Sequence, residues 1–389
     1  MAIKLIKSTF HNEKETKRRL VKFIEGAKSL SMGEQCLRFE EVFAKKQGRK
    51  YAVFVNSGSS ANLILIQSLL NLGRLIKGDK VGVSAITWAT NVMPLIKLGL
   101  KPVAIDCELS TLNISSITLA SKLKGLKALF ITNVLGFSSD IAVIRKACLK
   151  EGVILLEDNC ESLGSKVDGK MLGNFGLAAT FSFFVGHHLS TIEGGMVVTD
   201  DEKLHDMLIM VRAHGWDRQL SLAKQKQLRK KYTIDEHFGK YTFYELAYNV
   251  RPTEIQGFLG LEALNYWDEI VSDREQNFHL LNESLSRNDD FIPLDVSHMD
   301  IVSNFAFPVV VKSESLAKEY RRRFEAVGVE VRPIISGDIT LHPFWKKYVG
   351  TAPVLKNSRI VHHQGFYFGN NPDLTKKEID ILRRLLSNK

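Results

Sequence analysis

Four short segments, spaced along the first half of the 389-residue chain, carry residue types that could do chemistry. The first is Asn56-Ser57-Gly58-Ser59-Ser60-Ala61-Asn62, which follows an apolar strand pattern and opens a helical one. Backbone N–H groups and hydroxyls there could hold a phosphate at the positive end of a helix. A Ser/Gly turn that only caps its helix is an equal reading. The second is Thr87-Trp88-Ala89 at the end of an apolar run, where Trp88 could stack on a flat ring or simply pack. The third is Val153-Ile154-Leu155-Leu156-Glu157-Asp158-Asn159-Cys160-Glu161, a buried strand pattern ending in carboxylates. Buried carboxylates are costly unless paired. Asp158 would suit a protonated pyridine nitrogen and Glu161 a ring hydroxyl; a metal ligand or a solvated loop acid is the plain alternative. The fourth is Ser182-Phe183-Phe184-Val185-Gly186-His187-His188-Leu189-Ser190-Thr191-Ile192-Glu193-Gly194-Gly195. A lone histidine is most often structural, and adjacent histidines at a strand end cannot both face one pocket. The order of the four segments is what singles out His187, an imidazole suited to proton transfer near neutrality.

The elements that must position these residues are legible as apolar runs alternating with helical patterns, the mark of a largely parallel sheet wrapped by helices. Strands are expected over 51–56, 80–86, 102–106, 128–134, 153–158, 178–184 and 195–199, and helices over 59–72, 140–151 and 202–212. Polar residues gather at the strand ends, where open α/β sheets place ligands. A long helix is expected from Thr253 to about Ser286. Strands at 305–311 and 329–333 around a helix at 315–327 then suggest a smaller α+β module, closed by a helix from Thr375 with a Thr375/Glu378 capping box. The expected division is residues 1–250 and 251–389.

Composition narrows the function classes. With 44% apolar residues the chain can bury a substantial core. Charges interrupt the N-terminal residues and the apolar run 85–100 is short and broken, so neither a signal peptide nor a membrane span is expected. A cytoplasmic protein follows. Cys36, Cys107, Cys148 and Cys160 stand far apart, which indicates no disulfide framework, zinc site or iron–sulfur cluster. The net charge of +10 is dispersed, apart from a dense run from Arg218 to Lys231 that reads as a solvated helix face or mobile loop. Nucleic acid is not the expected partner; a modest positive field also suits a diphosphate-bearing substrate.

Together the four segments resemble the DegT-type family of nucleotide-sugar aminotransferases, over nearly the whole chain. The resemblance implies an α/β, aspartate-aminotransferase-like (fold type I) large domain with a mainly parallel sheet, plus a smaller α+β C-terminal domain. In that family the segment after the Ser-Phe strand carries the lysine that binds the cofactor covalently; here His187 takes its place, and Lys166, Lys170 and Lys203 lie outside the motif. Histidine there is characteristic of a branch of sugar 3-dehydratases, and Glu161 agrees with that branch where the aminotransferases carry glutamine.

The implied cofactor is pyridoxal 5'-phosphate or pyridoxamine 5'-phosphate, not covalently bound. The implied reaction removes the 3-hydroxyl of a nucleotide-linked 4-keto-6-deoxyhexose, with GDP-4-keto-6-deoxymannose expected and glutamate as amino donor, in deoxysugar biosynthesis for lipopolysaccharide O-antigen. By the same resemblance Ser57, Gly58 and Ser59 bind phosphate, Trp88 stacks on the ring, Asp158 pairs with its nitrogen, Ser182 supports it, and His187 is the catalytic base. Asn249 would reach the phosphate from the neighbouring subunit of a homodimer with shared active sites. His214, Arg218 and Arg332 are the substrate contacts it suggests. An aminotransferase that keeps the nitrogen on the sugar, and a catalytically silent binding subunit, are the rival readings.

Overall fold

The computed structural model describes residues 2–387. Its centre is a seven-stranded sheet built from β1 (Tyr51–Val55), β2 (Lys80–Ser84), β3 (Lys101–Ile105), β4 (Ala128–Thr132), β5 (Ile154–Asp158), β8 (Ala178–Ser182) and β9 (Gly195–Thr199). A two-stranded hairpin, β6 (Lys166–Val167) and β7 (Lys170–Met171), stands apart between β5 and β8. The sheet order is β1-β9-β8-β5-β4-β2-β3. The ladders are parallel from β3 through β2, β4 and β5 to β8, and β9 alone runs against its neighbours β8 and β1.

Helices cover both faces, so strand residues are apolar on both sides, as the uninterrupted runs require. Along β1, Val53 and Val55 pack with Ile64 and Leu65 of the helix Gly58–Asn71, while Ala52 and Phe54 face Phe39, Phe43, Phe181 and Trp267 on the other side. A one-residue slip would exchange the two sets. Because the six strands other than β9 point the same way, their C-terminal ends fall on one edge, and that edge gathers the polar residues the strand patterns end in.

The second module has a three-stranded antiparallel sheet, β10 (Ala306–Val310), β12 (Gly365–Gly369) and β11 (Val331–Arg332), in the order β10-β12-β11. The strand β12 was not expected from the sequence; it is short, fully buried and follows the helix Lys356–Gln364 directly. The N-terminal residues join this module: Ile3 makes a parallel bridge to Val329, and the Leu5 N–H donates to Glu330 Oε2 at 3.0 Å. Thr375 and Glu378 form the expected capping box.

One expectation fails. The helix read from Thr253 to Ser286 is two, Glu254–Leu264 and Trp267–Leu285, broken at Asn265 and Tyr266. Asn is a poor helix-interior residue, and the break re-aims the chain so that Trp267 enters the aromatic cluster against Phe43 at 5.7 Å. Apolar spacing on each side of the break concealed it. The basic run lies on the helix Leu222–Lys231, which buries none of its residues. Among the described residues no helix is long and apolar enough to cross a membrane.

Candidate active site

A cavity of about 330 Å³ opens at the C-terminal edge of the large sheet, roofed by the second module and the N-terminal residues Leu5 and Ile6. Ser57, Gly58, Ser59, Trp88, Asp158, Glu161, Ser182, His187 and Arg332 all line it. Four sheet strands and one strand of the small module therefore deliver nine of the twelve residues singled out in the sequence to one place.

Ser57 is the N-cap of the helix Gly58–Asn71, its Oγ accepting from the Ser60 N–H at 3.1 Å. The cap and phosphate readings thus coexist: the hydroxyl closes the helix end, while the first turn still presents N–H groups that no intrahelical carbonyl can take. Space at this turn is set by contact. A Cβ on Gly58 would sit 2.7 Å from Ser182 Cβ, and one on Gly195 would sit 2.2 Å from the Ser57 carbonyl oxygen. The glycine at the start of β9 is what lets that strand run past the turn.

Asp158 ends β5 and is 5% exposed. Its Oδ2 accepts from Asn62 Nδ2 at 3.0 Å and Asn91 Nδ2 at 2.9 Å, and its Oδ1 from the Cys160 N–H at 3.0 Å. Three donors fix the carboxylate and offset its desolvation. Glu161 accepts from the Leu135 N–H at 2.9 Å. Burial pushes its carboxyl up to about 8, the Leu135 hydrogen bond opposing and the Asp158 charge adding to the rise. At neutral pH it therefore holds a proton it can donate. Trp88 is 56% exposed at the rim, and its backbone is tied down by Ser336 Oγ, which donates to the Thr87 carbonyl at 2.7 Å.

His187 stands in the turn of the long hairpin between β8 and β9, held by main-chain bonds from Phe183 to Gly194 and from Val185 to Ile192. Its ring packs against Phe305 with centroids 5.4 Å apart. Burial lowers its basicity to a pKa of about 4, with Asp158 pulling the value up and Arg274 pushing it down. The imidazole is neutral at physiological pH and ready to accept a proton. His188 turns the other way, buried, with Nε2 3.1 Å from the Ser303 carbonyl oxygen. Among the described residues no lysine lines the cavity.

Three expected residues lie outside this chain's cavity. Asn249 is exposed and bonded to Arg251 Nε at 2.9 Å. His214 packs on Trp216 at 4.8 Å, and Arg218 lies over the Trp216 and Tyr241 rings at 3.7 and 4.6 Å. Arg332 is in the wall, bidentate to Glu330 Oε1 at 2.6 and 3.0 Å.

The sequence reading missed Tyr367, Phe305 and the two amides on Asp158. Tyr367 sits on β12, and burial, with Glu161 next, pushes its phenol up to about 12. Asn62 could have been found, since it is four residues after Gly58 on a helix whose end faces the site. Tyr367 and Phe305 carried no signal, being apolar-strand residues of a distant module.

The donor set fits a phosphorylated pyridine. There is a helix end that could receive an anion, a fixed buried carboxylate that would suit a ring nitrogen, a protonated Glu161 that would suit a ring oxygen, and an exposed indole that would suit a ring face.

A three-layer fold with this strand order and a cavity at its switch edge is the aspartate-aminotransferase-like arrangement (fold type I). Within it, the chain belongs to the DegT/DnrJ/EryC1/StrS aminotransferase family, whose pattern matches residues 11–385. It is similar to the GDP-4-keto-6-deoxy-D-mannose 3-dehydratase of Escherichia coli O55:H7, with 35% identity over 376 residues, 95% of this chain and 96% of that one. The Yersinia pseudotuberculosis protein of the same name is 33% identical, over 92% of this chain and 91% of its own. The solved structure of the E. coli enzyme with bound hydrated PLP superposes with a TM-score of 0.90 at 32% identity, covering 100% of both chains.

Proposed function

We propose that this protein is a pyridoxamine-phosphate-dependent 3-dehydratase that removes the 3-hydroxyl of a nucleotide-linked 4-keto-6-deoxyhexose, with GDP-4-keto-6-deoxymannose as substrate. The observation that carries the reading is a neutral imidazole, His187, in the wall of a cavity that no described lysine enters. When bound, the pyridine ring and its amine supply the electron sink and the nitrogen that joins the keto carbon.

This chain's residues do the rest. Ser57, Gly58 and Ser59 would hold the phosphate at the helix end, and Asp158 would keep the ring nitrogen protonated. Protonated Glu161 would donate to the ring oxygen, as a glutamine would, and Ser182 would support the cofactor beside Gly58. Trp88 would cover the ring face. His187 would serve as base toward the bound cofactor at its open ring nitrogen and as acid toward the departing 3-hydroxyl, so that a single imidazole would fill both roles. Arg332 belongs to the same wall and would meet the substrate.

Asn249, His214 and Arg218 support a second part of the reading. They stand outside this chain's own cavity, with Arg218 over exposed Tyr241 and His214 beside exposed Phe243, as expected of residues that complete a neighbouring subunit's site in a homodimer. Glutamate as amino donor is supported by a solved GDP-4-keto-6-deoxymannose-3-dehydratase with a trapped PLP-glutamate geminal diamine, 32% identical with a TM-score of 0.88 over 98% of this chain and 99% of that one.

The test is to incubate the protein with cofactor, glutamate and a panel of nucleotide-linked 4-keto-6-deoxy sugars, and to weigh the products. A 4-keto-3,6-dideoxy sugar with ammonia is the expected outcome. An amino sugar would make the protein an aminotransferase, and no turnover of any sugar would leave only a binding role.

A further inference from the structure

The ring of His187 packs with two aromatic side chains, Phe305 at 5.4 Å between centroids and Phe184, edge to face, at 6.3 Å. Phe305 is buried, but Phe184 is 41% exposed although it lines the cofactor cavity. Ile6, from the N-terminal residues, lines the cavity beside it. A Cβ built on Gly186, the residue before His187, would lie 3.4 Å from Phe184 Cε1 and 3.5 Å from Ile6 Cδ1, so both side chains reach the same point of the hairpin.

The chain that carries Ile6 is pinned on both sides of it. Before it, the Ile3 N–H donates to the Gly328 carbonyl at 2.8 Å and the Leu5 N–H to Glu330 Oε2 at 3.0 Å. After it, Lys7 Nζ donates to the Asp373 carbonyl and to Glu378 Oε2, both at 2.7 Å. Ile6 is therefore presented to the cavity from a fixed backbone. The side chains of this corner, Ile6 and Phe184, carry no hydrogen-bonding atom, and the exposed apolar surface of Phe184 favours an apolar occupant.

We propose that the Ile6–Phe184 corner beside His187 seats the carbon-6 methyl of the sugar, which makes Ile6 a specificity-determining residue that selects 6-deoxy sugars over their 6-hydroxy counterparts. The methyl is the one ring substituent of a 4-keto-6-deoxyhexose that carries no oxygen. It hangs from carbon 5, on one flank of carbon 4, while the leaving hydroxyl hangs from carbon 3 on the other. The hydroxyl needs the imidazole of His187; the methyl needs the apolar side chains next to it. A hydroxyl at carbon 6 would be stripped of water against side chains that offer it no partner. An apolar pocket rejects an added hydroxyl by about a hundredfold at most, so the preference expected is about ten- to a hundredfold.

The inference rests on the dehydratase reading, which brings carbon 4 to the His187 side of the cavity. It is tested by titration calorimetry on the protein supplied with pyridoxamine phosphate, with GDP-6-deoxymannose and GDP-mannose as probes. The two differ by one oxygen at carbon 6, and neither has a keto group to react. The unaltered protein should bind the 6-deoxy probe more tightly by about tenfold or more. Ile6→Ser should bring the two affinities together, Ile6→Leu should keep the preference, and the affinity for GDP alone, which has no sugar, should be the same in all three proteins.

Equal affinities in the unaltered protein, or a preference that Ile6→Ser leaves intact, overturn the methyl seat and spare the dehydratase reading. If Ile6→Ser does not fold, Phe184→Ser reads the same corner, with the same outcomes. An amino-sugar product from the panel of keto sugars refutes the dehydratase reading, and a 6-deoxy preference lost in Ile6→Ser then still supports the seat. A protein that binds neither probe nor GDP overturns both.

Discussion

The Phe305 ring lies 5.4 Å from the His187 ring, tilted by 58°, so a residue just before β10 of the small module braces an imidazole carried by a hairpin of the large sheet. The two are 118 positions apart in a chain whose cofactor cavity both line. The consequence is that the second module contributes to the packing around His187 as well as to the roof.

Removing this brace should loosen the base without removing it. Phe305→Ala is expected to lower kcat about tenfold with little change in KM, and to cost about 3–5 kcal/mol of stability as a buried aromatic deletion. Phe305→Leu should recover most of both. Steady-state kinetics and thermal melts on the two variants check it.

Restoring an amine at the critical position should reverse the cofactor's mode of attachment. His187→Lys is expected to retain cofactor through exhaustive dialysis, where the unaltered protein loses it, and to slow dehydration by at least about a hundredfold. An unchanged dehydration rate in this variant would remove His187 from the mechanism. Absorbance of the dialysed protein and product mass are the measurements.

Asp158 is oriented by Asn62, Asn91 and the Cys160 N–H, so its charge, more than its shape, is what the site has arranged. Asp158→Asn should therefore lower kcat/KM at least about a hundredfold, about 2.7 kcal/mol in the barrier. Asn62→Leu, which leaves the charge and removes one donor, should cost less.

Stability of the cofactor-free protein should fall on both sides of roughly pH 6.5. His187 and His205 are both held down to about 4, chiefly by burial. A depressed basic group stabilises the fold above its unfolded value near 6.5 and loses that contribution as pH falls toward 4. Glu161 is raised to about 8, so its protonated form stabilises the fold below about 4.5 and the contribution disappears as pH rises through 8. Melting temperature against pH should show both slopes. Glu161→Gln should flatten the alkaline one and steepen the acidic one, because the Glu161 window, about 4.5 to 8, overlaps that of the histidines.

Much of this was legible before the fold was known. The seven sheet strands came from apolar runs long enough to be buried on both faces, and their ends coincided with Asn56–Asn62, Trp88, Asp158 and His187 because parallel strands expose their C-terminal residues on one edge. The helix break at Asn265 and the strand β12 were not legible. In both places apolar spacing continued across a change of direction that only packing against Trp267 or the small sheet imposes.

Residue order alone determined the chemistry on offer: a helix-end turn, a strand-terminal carboxylate and an imidazole in the turn after a Ser-Phe segment. These are local properties, set by side-chain identity and by the periods of strand and helix. Tertiary structure decided what those groups would be. It put Asn62 and Asn91 on Asp158, raised Glu161 by enclosing it, and turned His187 toward the cavity and His188 toward the Ser303 carbonyl. Burial and the charges around a group come from residues distant in the chain, so protonation states had to wait for the fold.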